Sequence, residues 1–354
     1  MQTQLTNSTT TQCDIVGTGG DSHNTFNIST TASVLASSLL LIAKHGNRSA
    51  TSKSGSADML TSVRPQPPIL ATVEPNTLNT VYSRTNYAFL FAPTFHPGMR
   101  FVAPIRKQLG WRTIFNLLGP LSNPVDSSTS GHRISAPPLL EARVIGVART
   151  DLGPSFANAL ALSGVKKALV VCGEEELDEL SCAGPTRCWM LVEKGNPGFG
   201  RGADDAEDDD EFTTSDEEGA AARTMLAVES FCVAPEDFGF PRHGLAEVAP
   251  GKEPGENADI FLRILRREMD MESPLVRFVL MNTAALFVVS GVCEAETSDM
   301  GPGDDGVVIK ERGPGGGRWK EGVRRAKWAI SSGAALRQWD EFVKVTIELQ
   351  GTSS

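Results

Sequence analysis

The segment from Cys13 to Asp58 places the strongest constraint on what this chain can fold into. It begins with a short apolar run, CDIVG, which is typical of a buried strand and leads into a glycine-rich turn at Gly17–Asp21. A Thr/Ala/Val/Leu/Ser segment suited to a helix comes next, and a second apolar run, Leu39–Ala43, ends in the basic sequence KHGNR. Strand, glycine loop, helix, strand and basic loop, in that order, indicate a βαβ unit that binds phosphate.

Strand and helix patterns continue to alternate after this unit. Strands are predicted within Asn86–Pro93, Arg143–Val147 and Lys167–Val171, and a helix is predicted at Leu152–Leu162. Such alternation favours an α/β fold with a mostly parallel central sheet flanked by helices.

Further helices are predicted outside these strands. Thr77–Thr85 and Gly98–Leu109 have helical patterns, and Val279–Val289 is apolar on nearly all sides, which predicts a buried helix. Trp319–Ser332 and Leu336–Val345 predict two amphipathic helices near the end of the chain.

The net charge of −10 comes from one segment. Ala203–Glu218 contains ten acidic and no basic side chains, and without them 33 acidic residues remain against 33 basic ones. A fold that is close to neutral does not favour nucleic-acid binding through bulk charge.

The six cysteines form no CxxC pair and show no zinc-ligand spacing with histidine. Free buried thiols in a reducing compartment are therefore expected. The polar, uncharged start of the chain does not resemble a signal peptide, and the most apolar segments are too short or too polar for a membrane span. We expect a soluble, cytoplasmic protein that binds no membrane.

The glycine-rich turn has the chemistry of an anion site. Gly17, Gly19 and Gly20 permit positive φ and let backbone N–H groups approach an anion, and Asn27 or Ser29 can cap the following helix. An ordinary strand-to-helix turn explains an isolated GTGG equally well. The spacing matches neither the P-loop nor the dinucleotide-binding fingerprint, which disfavours nucleoside-triphosphate hydrolysis and dinucleotide binding.

Two further patterns carry chemistry. Lys44, His45 and Arg48 follow the second apolar run, and the hydroxyls and glycine of residues 49–56 come next, which together suggest a phosphate nest. Asp178 and Glu179 follow a predicted strand and have the carboxylates that Mg²⁺ prefers, although an exposed acidic turn is the alternative.

Eight motifs occur in a single order: GTGGD, TFNIST, KHGNR, SKSGSAD, FLFAPTFHPGM, IRKQLG, RTIFNLLGPLSNP and LDELSCAGPT. This series resembles anthranilate phosphoribosyltransferases, in particular the free-standing fungal form. These are tryptophan-pathway enzymes of glycosyltransferase family 3, with the nucleoside phosphorylase and phosphoribosyltransferase fold. The resemblance covers residues 14 to about 186 most clearly.

The resemblance implies transfer of the phosphoribosyl group of phosphoribosyl pyrophosphate to the amine of anthranilate, with pyrophosphate as the leaving group. Mg²⁺ is the implied cofactor, with Ser29, Asp178 and Glu179 as ligands. Anthranilate is implied to meet Gly17, Asn47 and Arg106. No residue is assigned as a general acid or base. The implied donor-binding positions are Gly17, Gly20, Asp21, Thr25, Asn27, Ile28, Ser29, Thr30, Lys44, His45, Gly46, Asn47, Arg48, Ser52 and Ser56.

The resemblance also implies a domain organisation. Family members carry a small helical domain before the glycine loop and form homodimers, whereas about a dozen residues precede the first predicted strand here. We therefore expect a truncated helical subdomain, exposed Leu and Phe side chains within residues 98–123, and impaired dimer formation. The expected parts are a disordered leader at 1–12, a donor-binding α/β part at 13–95, a helical segment at 96–124, and the rest of the α/β domain at 125–354, with flexible insertions near 126–138, 195–219 and 297–317.

Three alternatives remain open from the sequence. A pyrimidine nucleoside phosphorylase-like enzyme shares the fold and a glycine loop, but KHGNR and the acidic pair argue against it. A non-catalytic relative that binds nucleic acid requires a basic face, which the charge balance disfavours. A catalytically inactive remnant is the third alternative.

Overall fold

The computed structural model describes residues 12–23, 25–49, 54–109, 113–127, 140–193, 226–249, 251 and 253–352. Within these residues, short 3-10 turns connect seven strands and twelve α-helices. The strands are β1 Gln12–Gly17, β2 Leu41–Gly46, β3 Tyr87–Phe91, β4 Leu140–Gly146, β5 Lys167–Gly173, β6 Thr186–Glu193 and β7 Leu226–Val233. The helices are α1 Ile28–Ala36, α2 Ser56–Thr61, α3 Leu78–Tyr82, α4 Ala92–Phe95, α5 Ala103–Leu109, α6 Ile114–Leu121, α7 Pro124–Ser127, α8 Gly153–Leu162, α9 Pro254–Leu265, α10 Pro274–Ser290, α11 Trp319–Ser331 and α12 Ala334–Thr352.

The strands form one sheet in the order β3-β2-β1-β4-β5-β6-β7. The first five strands of this order are parallel, whereas β6 pairs with β5 and β7 pairs with β6 in antiparallel fashion. The strand order reverses at β1, because β2 and β3 lie on one side of it and β4 to β7 lie on the other. This reversal opens a crevice at the carboxyl ends of β1 and β4, the usual ligand position in such sheets. The predicted mostly parallel α/β fold is confirmed.

Strand β2 differs from its prediction. It begins two residues later and includes Lys44, His45 and Gly46, which were expected in a loop. These three residues pair with Phe89, Leu90 and Phe91 of β3, and the first two side chains are buried. The charged sequence is therefore part of the sheet, since pairing with an apolar edge strand extends β2 past its apolar run.

The main core lies on one face of the sheet, around α10. Nearly every residue of α10 is buried, as its apolar composition predicts. Helices α1 and α11 pack beside it, and α12 packs against both of them. Aromatic rings join α12 to the sheet, with the Tyr87 and Phe342 centroids 5.0 Å apart. These contacts confirm the helices predicted near the end of the chain.

The other face carries a smaller core and the segment that leads to α7. Helix α8 packs Phe156 and Leu160 against Ile145 and Trp189, and α6 adds Leu117 and Leu121 at the margin of this cluster. Helix α6 itself is only lightly buried.

Apolar side chains between residues 98 and 123 are exposed, as expected. Phe101 is 68% exposed, Ile105 57% and Ile114 62%. Phe101, Ile105 and Ile114 give this segment an exposed apolar surface, hereafter the apolar face.

The expected insertions fall partly outside the described residues. Pro124–Ser127 is helical, whereas residues 128–139 and 194–225 lie outside the description. Residues 297–317 are mostly irregular and connect to α11 through Asp304, which accepts a hydrogen bond from Arg324 at 2.8 Å. None of the helices within the described ranges combines the length and the hydropathy that a membrane span requires.

Candidate functional site

The glycine loop after β1 depends on two kinds of glycine. Gly19 and Gly20 have φ values of +66° and +74°, which residues with a side chain adopt at a cost. Gly17 has no such φ, but a Cβ at this position would overlap the carboxylate of Asp178. The loop therefore needs glycine both for its turn and for close contact with the segment that follows β5.

That segment crosses the carboxyl ends of β1 and β4. The Gly19 N–H donates to Asp178 Oδ2 at 2.5 Å, and a Cβ at Gly146 would overlap the Asp178 backbone. His23 Nε2 is 2.7 Å from the carbonyl oxygen of Glu175. The predicted acidic pair is thus brought onto the glycine loop, not left as a remote exposed turn.

Three carboxylates meet here. Burial raises the pKa of Asp178 to about 7, with the negative charge of Asp21 adding to the effect. Burial, then Asp178 and Asp21, raises the pKa of Glu179, against hydrogen bonds from the Ser29 N–H and the Thr25 hydroxyl. Crowded buried carboxylates are stabilised by a cation.

The oxygen ligands at this site fit a magnesium ion that takes its remaining oxygen ligands from other molecules. Asp178, Glu179 and the neighbouring Ser29 are hard oxygen donors, which Mg²⁺ prefers. Across the described chain, no group of three or more His, Cys, Asp or Glu side chains is placed to hold a metal ion by itself. Mg²⁺ is commonly held by one or two carboxylates together with substrate phosphates.

Lys44 supplies a buried positive charge near these groups. Its side chain is 1% exposed, and burial lowers its pKa while the charges of Asp14, Glu179 and Asp178 oppose that shift. Lys44 therefore lies close enough to Asp178 and Glu179 for its charge to act on both carboxylates.

The second predicted loop is joined to α1 by side chains. Asn27 Nδ2 donates to the Ser54 carbonyl at 3.1 Å, and the Thr30 hydroxyl donates to Ser56 Oγ at 2.8 Å. Ser52 lies outside the described residues. Ile28 is fully buried in the core and has no exposed surface.

Asp58 organises this loop, although the sequence assigned it no role. It accepts hydrogen bonds from the Arg48 guanidinium at 3.0 Å, the Ser49 N–H at 2.8 Å and the Gly55 N–H at 3.1 Å. Its place two residues after Ser56, at the third position of α2, was the available signal. Asp58 therefore sets the position of Arg48, which is otherwise more than half exposed.

Arg106 and His45 both contact residues of α6. Arg106 Nη2 donates to Asn116 Oδ1 at 3.2 Å, and its guanidinium is 5.5 Å from the Phe115 ring centroid. His45 contacts His96, with ring centroids 5.1 Å apart, and hydrogen-bonds the Gly119 carbonyl. The structure thus groups His45 with α6, apart from Asn47–Ser56, and burial lowers its pKa to about 3, so its ring is neutral.

A buried polar cluster beneath α6 was missed by the sequence reasoning. Asn123 Nδ2 donates to Asp14 Oδ2 and to the Ala43 carbonyl, both at 2.9 Å. Arg143 lies beside Asp14 on the neighbouring strand and contacts Asp126. A polar residue inside an apolar strand motif, such as the Asp14 of CDIVG, was the available signal.

Comparison with known proteins gives a consistent result. The family model for the a/b domain of the glycosyl transferase family matches residues 9–197 and 206–336. The anthranilate phosphoribosyltransferase of Schizosaccharomyces pombe is 37% identical over 94% of this chain and 74% of its own length. That of Saccharomyces cerevisiae is 33% identical over 93% of this chain and 71% of its own length.

Solved structures agree. The Saccharomyces cerevisiae enzyme in complex with PRPP and Mg superposes with a TM-score of 0.71 at 30% identity, covering 96% of this chain and 75% of the other. The same enzyme with 4-fluoroanthranilate gives a TM-score of 0.69 at 29% identity, covering 96% and 74%.

Proposed function

Because the chain belongs to the anthranilate phosphoribosyltransferase family, we propose that it transfers the phosphoribosyl group of phosphoribosyl pyrophosphate to the amine of anthranilate. The products are N-(5-phosphoribosyl)anthranilate and pyrophosphate, and the reaction is a step of tryptophan biosynthesis. One observation carries the proposal: the glycine loop, Lys44 and the pair Asp178–Glu179 meet at the carboxyl edge of the sheet.

The donor is placed against the two loops. The glycine loop Gly17–Gly20 and the start of α1 lie at the carboxyl end of β1, where phosphate is commonly bound in such sheets, and Lys44 and Arg48 supply positive charge. The remaining donor-binding positions are Asp21, Thr25, Asn27–Thr30, His45–Asn47, Ser52 and Ser56. A solved relative that contains PRPP and Mg supports this placement.

Ser29, Asp178 and Glu179 are the proposed holders of Mg²⁺. Burial and neighbouring carboxylates raise the pKa of both groups even though Lys44 lies near them, so a bound cation would stabilise their ionised forms. When bound, the ion neutralises charge on the leaving pyrophosphate.

The acceptor is placed beside α6. The Arg106 guanidinium, oriented by Asn116, has the fork geometry that binds a carboxylate in a bidentate manner. Gly17 and Asn47 complete the proposed acceptor contacts. An arylamine nitrogen is uncharged at neutral pH, so the protein needs to orient it in line with the anomeric carbon and needs no strongly shifted base.

We propose that residues 13–95 form the donor-binding part, residues 96–124 the helical segment, and residues 125–354 the rest of the α/β domain. The apolar face of residues 98–123 supports a homodimer in which this surface is covered. The proposed location of this biosynthetic enzyme is the cytoplasm.

The decisive experiment follows anthranilate fluorescence in the presence of phosphoribosyl pyrophosphate and Mg²⁺. We expect loss of the signal, with equimolar release of pyrophosphate, and suppression by EDTA. Folded protein that leaves anthranilate unconsumed would overturn the proposal. Phosphorolysis of uridine or thymidine, tested in parallel, would instead indicate the nucleoside phosphorylase alternative.

A further inference from the structure

Two buried asparagines, Asn123 and Asn282, lie behind the two halves of the proposed site. Each side chain is 2% exposed and forms three hydrogen bonds. A buried amide with this many partners holds them at fixed positions, since displacement leaves a polar group unpaired.

Asn123 fixes the carboxyl-terminal end of α6 to the sheet. Its Nδ2 bridges the Asp14 carboxylate of β1 and the Ala43 carbonyl of β2, and its Oδ1 accepts from the Val125 N–H at 3.1 Å. One side chain thus joins two strands to the chain between α6 and α7.

This connection controls the other end of α6, where the acceptor side begins. Apolar packing holds α6 weakly, because Ile114 is 62% and Leu118 41% exposed. Asn116, which orients Arg106, lies seven residues before Asn123, or roughly 10 Å along a helix. A tilt of about 10° at Asn123 would therefore move Asn116 by roughly 2 Å.

Asn282 performs the equivalent task behind the acidic pair. Its Oδ1 accepts from the Leu180 N–H at 3.1 Å, and its Nδ2 donates to the Leu180 carbonyl at 3.3 Å. The same Nδ2 donates to the Phe278 carbonyl within α10. The residue next to Glu179 is thereby fastened on both of its backbone groups to the most buried helix of the fold.

We propose that Asn123 and Asn282 are positioning residues for different substrates. Asn123 fixes the position of the Arg106 guanidinium and so determines how well anthranilate binds. Asn282 fixes the positions of Asp178 and Glu179 and so determines how well the donor binds with its metal. The assignment rests on the proposed function, because that function defines the two substrates.

The test compares Asn123→Ala, Asn282→Ala and the control Asn86→Ala. Asn86 donates to the Ser37 carbonyl at 3.2 Å and lies at the amino-terminal edge of the sheet, opposite the site. For Asn123→Ala we expect the KM for anthranilate to rise roughly tenfold and the donor KM to change less than about twofold. Asn282→Ala should show the reverse pattern, and Asn86→Ala should change neither constant.

Direct binding provides the second readout. Calorimetric titration with phosphoribosyl pyrophosphate and Mg²⁺ should give weaker donor binding for Asn282→Ala and unchanged donor binding for Asn123→Ala. If an alanine variant fails to fold by circular dichroism, the serine variant, which retains one hydrogen-bonding group, replaces it.

Two outcomes overturn the proposal: both constants rise together in either variant, or neither constant moves in a folded variant. A wild-type protein that binds the donor but consumes no anthranilate overturns the proposed function instead. The donor-binding contrast between the two variants then still decides the role of Asn282.

Discussion

At the scale of single residues, Arg106 gives the clearest prediction. Asn116 accepts a hydrogen bond from the Arg106 guanidinium, and Arg106→Ala removes this group and with it the proposed bidentate partner of the acceptor carboxylate. We expect the KM for anthranilate to rise by at least about tenfold, in line with a lost charged hydrogen bond, and the donor KM to stay within about twofold. Steady-state kinetics with each substrate varied in turn measures this.

Arg100→Ala is the matched control, because Arg100 lies on the same segment, is exposed and stacks on Phe101 with its guanidinium 4.7 Å from the ring centroid. It should leave both constants unchanged. Equal effects of Arg106→Ala on the two substrates would remove Arg106 from the acceptor side.

Gly17 gives a steric prediction. In Gly17→Ala the new methyl group would overlap the Asp178 carboxylate and push the acidic pair off the glycine loop. We expect kcat/KM for the donor to fall by at least about tenfold, as misplacement of about 1 Å is enough for such a loss. Gly255→Ala, at a position in α9 where a Cβ meets no other atom, should keep full activity. An active Gly17→Ala enzyme would show that the observed contact does not matter for donor binding.

Residue chemistry was predictable where one short motif contains it. The glycine loop and the pair Asp178–Glu179 each carry their signal within a few neighbouring residues. The roles of Asp58 and Asn123 were not predictable in this way, because they depend on partners that folding brings near. These partners are the Arg48 side chain for Asp58 and Asp14 for Asn123.

At the scale of elements, the contact of β2 with α6 predicts a pH dependence of stability. Burial holds the pKa of His45 at about 3, below the value of about 6.5 for an exposed histidine. The histidine is therefore protonated in the unfolded chain but not in the folded chain, and its contribution to stability falls as pH drops below about 6.5. His45 alone should lower the free energy of unfolding by about 2 kcal/mol between pH 7 and pH 5.

Urea unfolding at several pH values tests this. His45→Gln should remove this contribution, so the stability of the variant relative to wild type should rise by about 2 kcal/mol as the pH falls from 7 to 5 and change little above pH 7. An identical slope in wild type and variant would mean that His45 remains accessible to protons in the folded protein.

Elements were predictable to the extent that their own pattern decides them. The helices α10 and α11 follow from apolar periodicity, and the five parallel strands from alternation with helices. Strand β2 was misplaced because its end is fixed by pairing with β3, and β7 was missed because its half-exposed residues carry little apolar signal.

At the scale of the whole molecule, the apolar face of residues 98–123 predicts self-association. Ile114→Glu places a charge on this face, so it should shift the proposed homodimer to monomer in light scattering. Because Ile114 is 62% exposed, the free energy of unfolding of the monomer should change by less than about 0.5 kcal/mol.

Leu162→Glu is the control, as Leu162 is 90% exposed on α8, outside the apolar face. It should leave the association state unchanged. A wild-type protein that is monomeric at micromolar concentration would contradict the proposed homodimer.

The antiparallel edge of the sheet has a consequence for how this protein tolerates change. Since β6 runs against β5, Glu193 and Leu226 lie at the opposite end of the sheet from Gly17, and the connection between them contains the ten acidic side chains of Ala203–Glu218. Its attachment points are roughly 25 Å, one strand length, from the carboxyl edge, well beyond the Debye length of about 8 Å. Insertions or changes of charge next to Glu193 or Leu226 are therefore expected to leave the position of the glycine loop unchanged.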